Sequence, residues 1–381
     1  MNYRKFGKLD WEASVLGFGA MRLPVLDNDS AKIDEPEAIR MIRYAIDHGV
    51  NYVDTAYPYH HGNSEVILGK ALKQGYRGRV RIATKMPTWL VNSQADMDMY
   101  LDEQLERLQV DYVDFYLLHG LDSERWLKMK SLDALGWAEK AMDSGRIRHL
   151  GFSFHDDLDV FKEIVDGYDN WTFCQIQYNY VDADYQAGTK GLKYASSKGI
   201  AVIVMEPISG GKLSLPPPQD IQAIWDQAEI KRTPAEWALQ WVWNHPEVTV
   251  VLSGMSTMQQ VIENVESAGR FGPNALTSKE LGLIEQVRQK YSELGFINCT
   301  GCEYCMPCPE GVAIPTIFRL YNEYYMKDHD NAVKSKYLEQ VASENRADRC
   351  ARCGRCEDLC PQHLPIQNLI RRAARTLDPN R

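Results

Sequence analysis

Four polar residues stand where short apolar runs end. Asp54 closes NYVD, Lys85 closes RVRIATK, His119 closes DYVDFYLLH, and Tyr59 follows Asp54 by five positions. Their chemistry suits the conversion of a carbonyl into an alcohol, which requires a hydride for the carbon and a proton for the oxygen. A free phenol titrates near 10, too high for an effective acid at neutral pH. A neighbouring ammonium such as Lys85 favours the phenolate and lowers that value, and Asp54 can pair with Lys85 and hold it charged. Tyr59 is then the general acid, and His119 can orient the carbonyl by a hydrogen bond. The hydride has to come from a cofactor. One histidine at a strand end is commonly structural, but four such groups at matched strand ends are hard to explain by packing.

The second concentration of chemistry is sulfur. Cys299, Cys302, Cys305 and Cys308 read C-x2-C-x2-C-x2-C-P, and Cys350, Cys353, Cys356 and Cys360 read C-x2-C-x2-C-x3-C-P. The latter matches the bacterial ferredoxin run that ligates [4Fe–4S] clusters, in which the fourth cysteine, followed by proline, serves the other cluster. The expectation is two [4Fe–4S] clusters, one on Cys299, Cys302, Cys305 and Cys360, the other on Cys350, Cys353, Cys356 and Cys308. Zinc is the alternative, but zinc sites use paired C-x2-C knuckles separated by a longer gap. Arg346, Arg349, Arg352 and Arg355 surround the second run, either tuning a negative cluster or forming a solvated basic face. Cys174, in the apolar run WTFCQIQY, reads as a buried strand thiol.

The elements that must position these groups alternate. Strand candidates are SVLGFGA, NYVDTA, RVRIATK, DYVDFYLLH, IRHLGFS, FCQIQYN, IAVIVMEP and VTVVLSG. Between them lie stretches with apolar residues at three- and four-residue spacing, such as PEAIRMIRYAIDHG, SEVILGKALKQG, LDALGWAEKAMDSG and PAEWALQWVWNHP. Eight strands with intervening helices over roughly 250 residues point to a (β/α)8 TIM barrel, whose catalytic groups sit at the C-terminal strand ends. MNYRKFGKLDWEAS reads as a hairpin capping the barrel floor. A Rossmann sheet would want GxGxxG after the first strand, where this chain has GFGAMRLP. The proline-rich LSLPPPQD (213–220) is either a loop over a bound ligand or a surface spacer. The predicted division is a barrel over 1–292 and a small, mainly helical ferredoxin-like domain over 293–381.

The 381-residue chain carries a formal charge of −9, which argues against a nucleic-acid binder and against an anionic membrane surface. The N-terminus has no apolar h-region and no run reaches spanning length. These features predict a cytoplasmic protein, whose reducing environment makes metal the usual reason for clustered cysteines.

The segments VDTAYPYHHGNSEVILG, ATK at 83–85 and LLH at 117–119 resemble the aldo-keto reductase superfamily over about residues 1–292. The resemblance implies the catalytic tetrad Asp54, Tyr59, Lys85 and His119, a small-molecule carbonyl substrate, and an NAD(P)H cofactor extended across the barrel mouth. It places Ser153 on the carboxamide, although the asparagine that usually follows is Phe154, and it matches Gln175 at the end of strand 6. Met205 replaces the aromatic that normally stacks on the nicotinamide. Gly211 and Leu213, in GGKL, match the pyrophosphate loop. Ser253 and Gly254 lie in the loop after strand 8, and Glu263 and Asn264 match the adenine-end pair. Gly254 and Gln260 stand where the family's NADPH users carry lysine and arginine, so NADH is the expected donor. His60 and His61 are either loop solvation or substrate contacts, and Arg22 and Trp89 are candidates for a substrate pocket. Two functions compete: a carbonyl reductase whose tail is structural, sensing or electron-transferring, and an electron-transfer protein whose barrel docks a redox protein partner.

Overall fold

The computed structural model describes residues 1–27 and 29–378. It divides into two compact units, one of Met1–Tyr178, Asp182–Pro207 and Leu239–Ala275, the other of Asn179–Val181, Ile208–Ala238 and Leu276–Arg381.

The first unit opens with an antiparallel hairpin, β1 (Tyr3–Lys5) and β2 (Glu12–Ser14). Eight parallel strands follow: β3 (Leu16–Gly19), β4 (Tyr52–Asp54), β5 (Arg81–Met86), β6 (Val113–Leu121), β7 (Ile147–Phe154), β8 (Phe173–Gln177), β9 (Ala201–Met205) and β10 (Val248–Gly254). They close into a barrel in chain order, with β10 pairing β3. Buried on both faces, the strands are near-continuous apolar runs.

Because side chains alternate along a strand, every second residue faces the barrel interior in layers. Tyr52, Ala83, Phe115, Phe173 and Ala201 form a floor with Phe6 from the hairpin, whose ring stacks on Phe115 at 4.6 Å. Two residues further along β4, β5 and β8 come Asp54, Lys85 and Gln175. The apolar floor thus carries a polar layer directly above it. Helices supply the outer wall. The helix Glu35–Asp47 starts at Asp34, whose carboxylate accepts the Glu37 N–H, and buries Ala38, Met41, Ile42 and Ala45. The helix expected over 132–145 is present as Ala134–Asp143, and a separate helix, Ser123–Ser131, precedes it. They separate at Asp133, whose left-handed φ of 53° cannot continue a helix.

In the second unit the helix Ser278–Glu293 begins with a reciprocal capping box between Thr277 and Glu280. Glu280 also takes the Arg232 guanidinium at 2.5 Å. That guanidinium lies 4.4 Å from the Trp237 ring, which stacks on Trp225. The cysteine-bearing part has its own core, built by the helices Ile314–Met326 and Ile366–Leu377 around Ile317, Phe318, Leu320, Ile370 and Leu377. Burial of each such side chain contributes about 1.5–3 kcal/mol.

Candidate active site and cysteine openings

The polar layer above the barrel floor brings together three of the four residues singled out at strand ends. Lys85 Nζ donates to Asp54 Oδ1 at 2.5 Å, to the Thr55 carbonyl at 2.8 Å and to the Tyr59 hydroxyl at 3.4 Å. Three acceptors match the three N–H bonds of an ammonium. Burial pushes the Asp54 carboxyl up, and Lys85 and Gln175 oppose it. Burial pushes the Lys85 amine down, and Asp54 and Glu65 oppose that. Burial is the larger effect on both groups, and the attraction of each partner for the other opposes it.

His119 closes the constellation from β6, its ring 6.1 Å from that of Tyr59 at a near-perpendicular angle. Burial, and then the positive charges of Lys85, His155 and Arg125, hold it well below the usual histidine value, so it is neutral at physiological pH. The end of its strand is fixed from three sides. Thr88 Oγ1 donates to the His119 carbonyl, the Gly120 N–H donates to Ser153 Oγ, and Arg125 donates to the Gly120 carbonyl.

The structure treats the remaining candidates differently. Trp89 comes within 5.2 Å of the His119 ring, at the mouth. His60 is buried: its Nε2 accepts the Leu23 N–H and its Nδ1 donates to the Ser30 carbonyl, so it stitches the loop after β3. Loop solvation does not describe it. His61 is exposed and bonds Ser30 Oγ. The Arg22 stem crosses Gly254, where a Cβ would stand 3.2 Å from it. Ser153 and Gln175 are buried, Met205 ends β9 partly exposed, and Phe154 packs into the wall on Phe161. Asn264 donates to Ser253 Oγ at 3.0 Å, while Glu263 is exposed and accepts from Gln259. Gly211 and Leu213 belong to the second unit, in the turn Ser209–Ser214, where Leu213 is buried.

Several supporting residues escape the sequence reading. Gln177, two positions beyond Gln175 and on the same face of β8, is buried, and its Oε1 has no hydrogen-bond partner among the described residues. A buried orphan acceptor at the barrel mouth fits a ligand that brings an N–H or O–H, such as a carboxamide. Its signal was the period-two relation to Gln175. Behind Lys85, Gln104 Nε2 donates to the Lys85 carbonyl and to buried Glu65, which also accepts from Thr84. These residues lie on different elements, and nothing in their spacing announces the network.

In the second unit the eight thiols of the two runs sort into two openings. Cys299, Cys302, Cys305 and Cys360 line one, with Pro361 and Gln362. Cys308, Cys350, Cys353 and Cys356 line the other, which Cys305 also reaches. The last cysteine of each run thus sits with the other run. Burial pushes the Cys305 thiol up, helped by Cys302, Cys299 and Cys360. The Cys356 thiol is pushed up to about 11 by burial, with Glu357, Cys350 and Cys308 adding to it. Thiolates crowded this way repel one another and fit a multiply charged cationic centre. Among the described residues, no group of three or more His, Cys, Asp and Glu side chains is gathered to hold one metal ion.

Local geometry supports these loops. Gly301, at φ +65°, lets the chain curl so that its own N–H reaches Cys299 Sγ at 3.4 Å. Buried Asn322 brackets Ile297 with bonds to its N–H and carbonyl, holding the approach to Cys299. Glu357 accepts from the Gln367 N–H and side chain. Arg346 braces the Val341 and Leu338 carbonyls, whereas Arg352 and Arg355 are exposed at the second opening.

Family models match both parts of the chain. The family model "Aldo/keto reductase family" matches residues 15–289, and "4Fe-4S dicluster domain" matches 298–365. L-galactose dehydrogenase of Arabidopsis thaliana is 29% identical over 316 residues, covering 76% of this chain and 95% of that protein. NADH-specific methylglyoxal reductase of Escherichia coli (strain K12) is 26% identical over 304 residues, covering 68% and 91%. The holo form of an aldo-keto reductase from Bacillus halodurans superposes with a TM-score of 0.63 at 29% identity, covering 75% of this chain and 96% of that one. A Klebsiella pneumoniae aldo-keto reductase solved with NADPH superposes at 0.61 and 23% identity, covering 74% and 93%, a likeness of fold. The chain belongs to the aldo/keto reductase family and carries a C-terminal 4Fe–4S dicluster domain.

Proposed function

We propose that the protein reduces an aldehyde or ketone to an alcohol with NAD(P)H, Tyr59 being the general acid. The observation that carries this reading is the buried chain Asp54–Lys85–Tyr59, with every N–H of Lys85 directed at an acceptor. A nicotinamide dinucleotide supplies the hydride when bound. Ser153, Gln175, Met205, Ser253, Gly254, Glu263 and Asn264 would hold it, with Gln177 added from the structure; Gly211 and Leu213 are assigned on the sequence match. Lys85 favours the Tyr59 phenolate, so the hydroxyl gives its proton to the carbonyl oxygen as charge develops there. Neutral His119 donates a hydrogen bond to that oxygen without competing for the proton.

Two [4Fe–4S] clusters are assigned to the two openings, with Cys308 and Cys360 exchanged between the runs. The functional boundary is placed near residue 292, between the two matched segments. We place the protein in a reducing cytoplasm, where clustered cysteines commonly serve metal, and among the described residues no helix is long and apolar enough to cross a membrane. Cofactor oxidation against a panel of aldehydes and ketones, by anaerobically purified protein, tests the reading. No turnover with any carbonyl would favour an electron-transfer role with a redox protein partner.

A further inference from the structure

We infer that Gln175 is a positioning residue that couples filling of the cofactor pocket to the proton donor, through the chain Gln175–Asp54–Lys85–Tyr59. The inference rests on the functional reading above. Gln175 Nε2 donates to Asp54 Oδ2 at 2.6 Å, while Lys85 holds Asp54 Oδ1 at 2.5 Å. Both oxygens of one buried carboxylate are therefore engaged from opposite sides. Only the NH2 edge of an amide can face a carboxylate, so Oε1 is the acceptor edge and belongs to whatever brings a donor. The carboxamide NH2 of a nicotinamide is such a donor.

A donor arriving at Oε1 polarises the amide and strengthens the N–H toward Asp54. Asp54 is 3% exposed and Lys85 1%, so burial works to neutralise the pair by moving a proton from Lys85 to Asp54. A better-stabilised carboxylate resists that transfer. Lys85 then stays an ammonium 3.4 Å from the Tyr59 oxygen. The chain carries no proton of its own; it keeps a charge in place. Other titratable groups face the same cluster. Tyr52 lies one layer below Asp54; burial and then Asp54 push its phenol up against the opposing effect of the Gln175 side chain, so it stays neutral. Glu65 acts on Lys85 from the helix Asn63–Ala71, and neutral His119 faces Tyr59 from β6.

The test is carbon-13 NMR of the full chain labelled at tyrosine Cζ, with Tyr59→Phe identifying the Tyr59 resonance. Wild type and Gln175→Leu are titrated with pH, with and without oxidised nicotinamide dinucleotide, and binding is followed separately by fluorescence. In Gln175→Leu the Tyr59 resonance should titrate about one pH unit higher than in wild type. Cofactor should also lower the Tyr59 titration in wild type more than in the variant. Gln175→Met, also close in volume, should repeat both effects, and circular dichroism checks that each variant is folded. Variants that bind cofactor yet leave the Tyr59 titration unchanged overturn the inference alone. Wild-type protein that binds no nicotinamide dinucleotide overturns the functional reading, and this inference with it.

Discussion

A Cβ placed on Gly210 would stand 2.5 Å from the Thr300 carbonyl oxygen and 2.7 Å from its Cα. Two backbones meet there with no side chain between them, and Thr300 is the residue between Cys299 and Gly301 in the first cysteine loop. Gly210→Ala must therefore push that loop aside, because backbone atoms cannot swing away as a flexible side chain does. Gly211→Ala is the control: it has a positive φ of 97° but nothing within 4 Å of its Cβ. Gly210→Ala should lose iron from the first opening faster than Gly211→Ala, read by iron content and electron paramagnetic resonance over time. Equal retention would contradict a steric role for Gly210.

Tyr59→Phe should lower carbonyl reduction by about 10²–10⁴-fold, the usual range for removing a general acid. Cofactor affinity should change little, because the ring that packs near His119 is retained. Steady-state kinetics with a binding titration checks both, and near wild-type turnover would refute the assignment.

Cys308→Ala should damage the cluster built on Cys350, Cys353 and Cys356, and Cys360→Ala the one built on Cys299, Cys302 and Cys305. The basis is that Cys360 lines the opening of Cys299, Cys302 and Cys305, and Cys308 lines that of Cys350, Cys353 and Cys356, which Cys305 also reaches. Anaerobic wild-type protein should hold about eight irons per chain. About four irons, stoichiometric zinc, or loss of the same-run cluster in each variant would contradict the crossed assignment.

NADH should be used at least as well as NADPH. Gly254 offers no cation, and Gln260 spends its side-chain oxygen on the Ser256 N–H. A 2′-phosphate would miss charge-assisted bonds at these two positions, about 1.5–3 kcal/mol each. The ratio of kcat/KM for the two donors decides it.

His119 predicts a pH dependence of stability. Burial, with Lys85, His155 and Arg125, depresses its folded pKa, so the unfolded chain binds the proton more readily than the native one. As pH falls below about 6.5, the unfolded-state value, stability contributed by the neutral ring is lost, at up to about 1.4 kcal/mol per pH unit. Above that pH the contribution is fully present. Denaturant midpoints of wild type and His119→Gln between pH 8 and 5 should converge toward the acid end; a constant gap would refute the claim.

The barrel was legible because its signals are local. Alternating apolar runs such as IAVIVM and glycine-closed helical repeats need no knowledge of distant contacts, and the strand ends placed Asp54, Lys85 and His119 on one rim. The two cysteine runs were likewise legible in their spacing.

What the sequence by itself determined, then, was the order of elements, the residue types near the barrel mouth and the spacing of the cysteines in the tail, since each depends on neighbours within a few positions. The tertiary structure alone decided which groups share a hydrogen bond. Gln175 reaches Asp54 across 121 positions of chain, and Gln104 supports Lys85 from a helix outside the barrel. Gln177 is left with a buried, unanswered oxygen, and His60 is turned into a stitch between loops. Barrel closure makes those meetings, because it sets the inward faces of strands distant in sequence into common layers. The direction of a side chain within a layer has no local code.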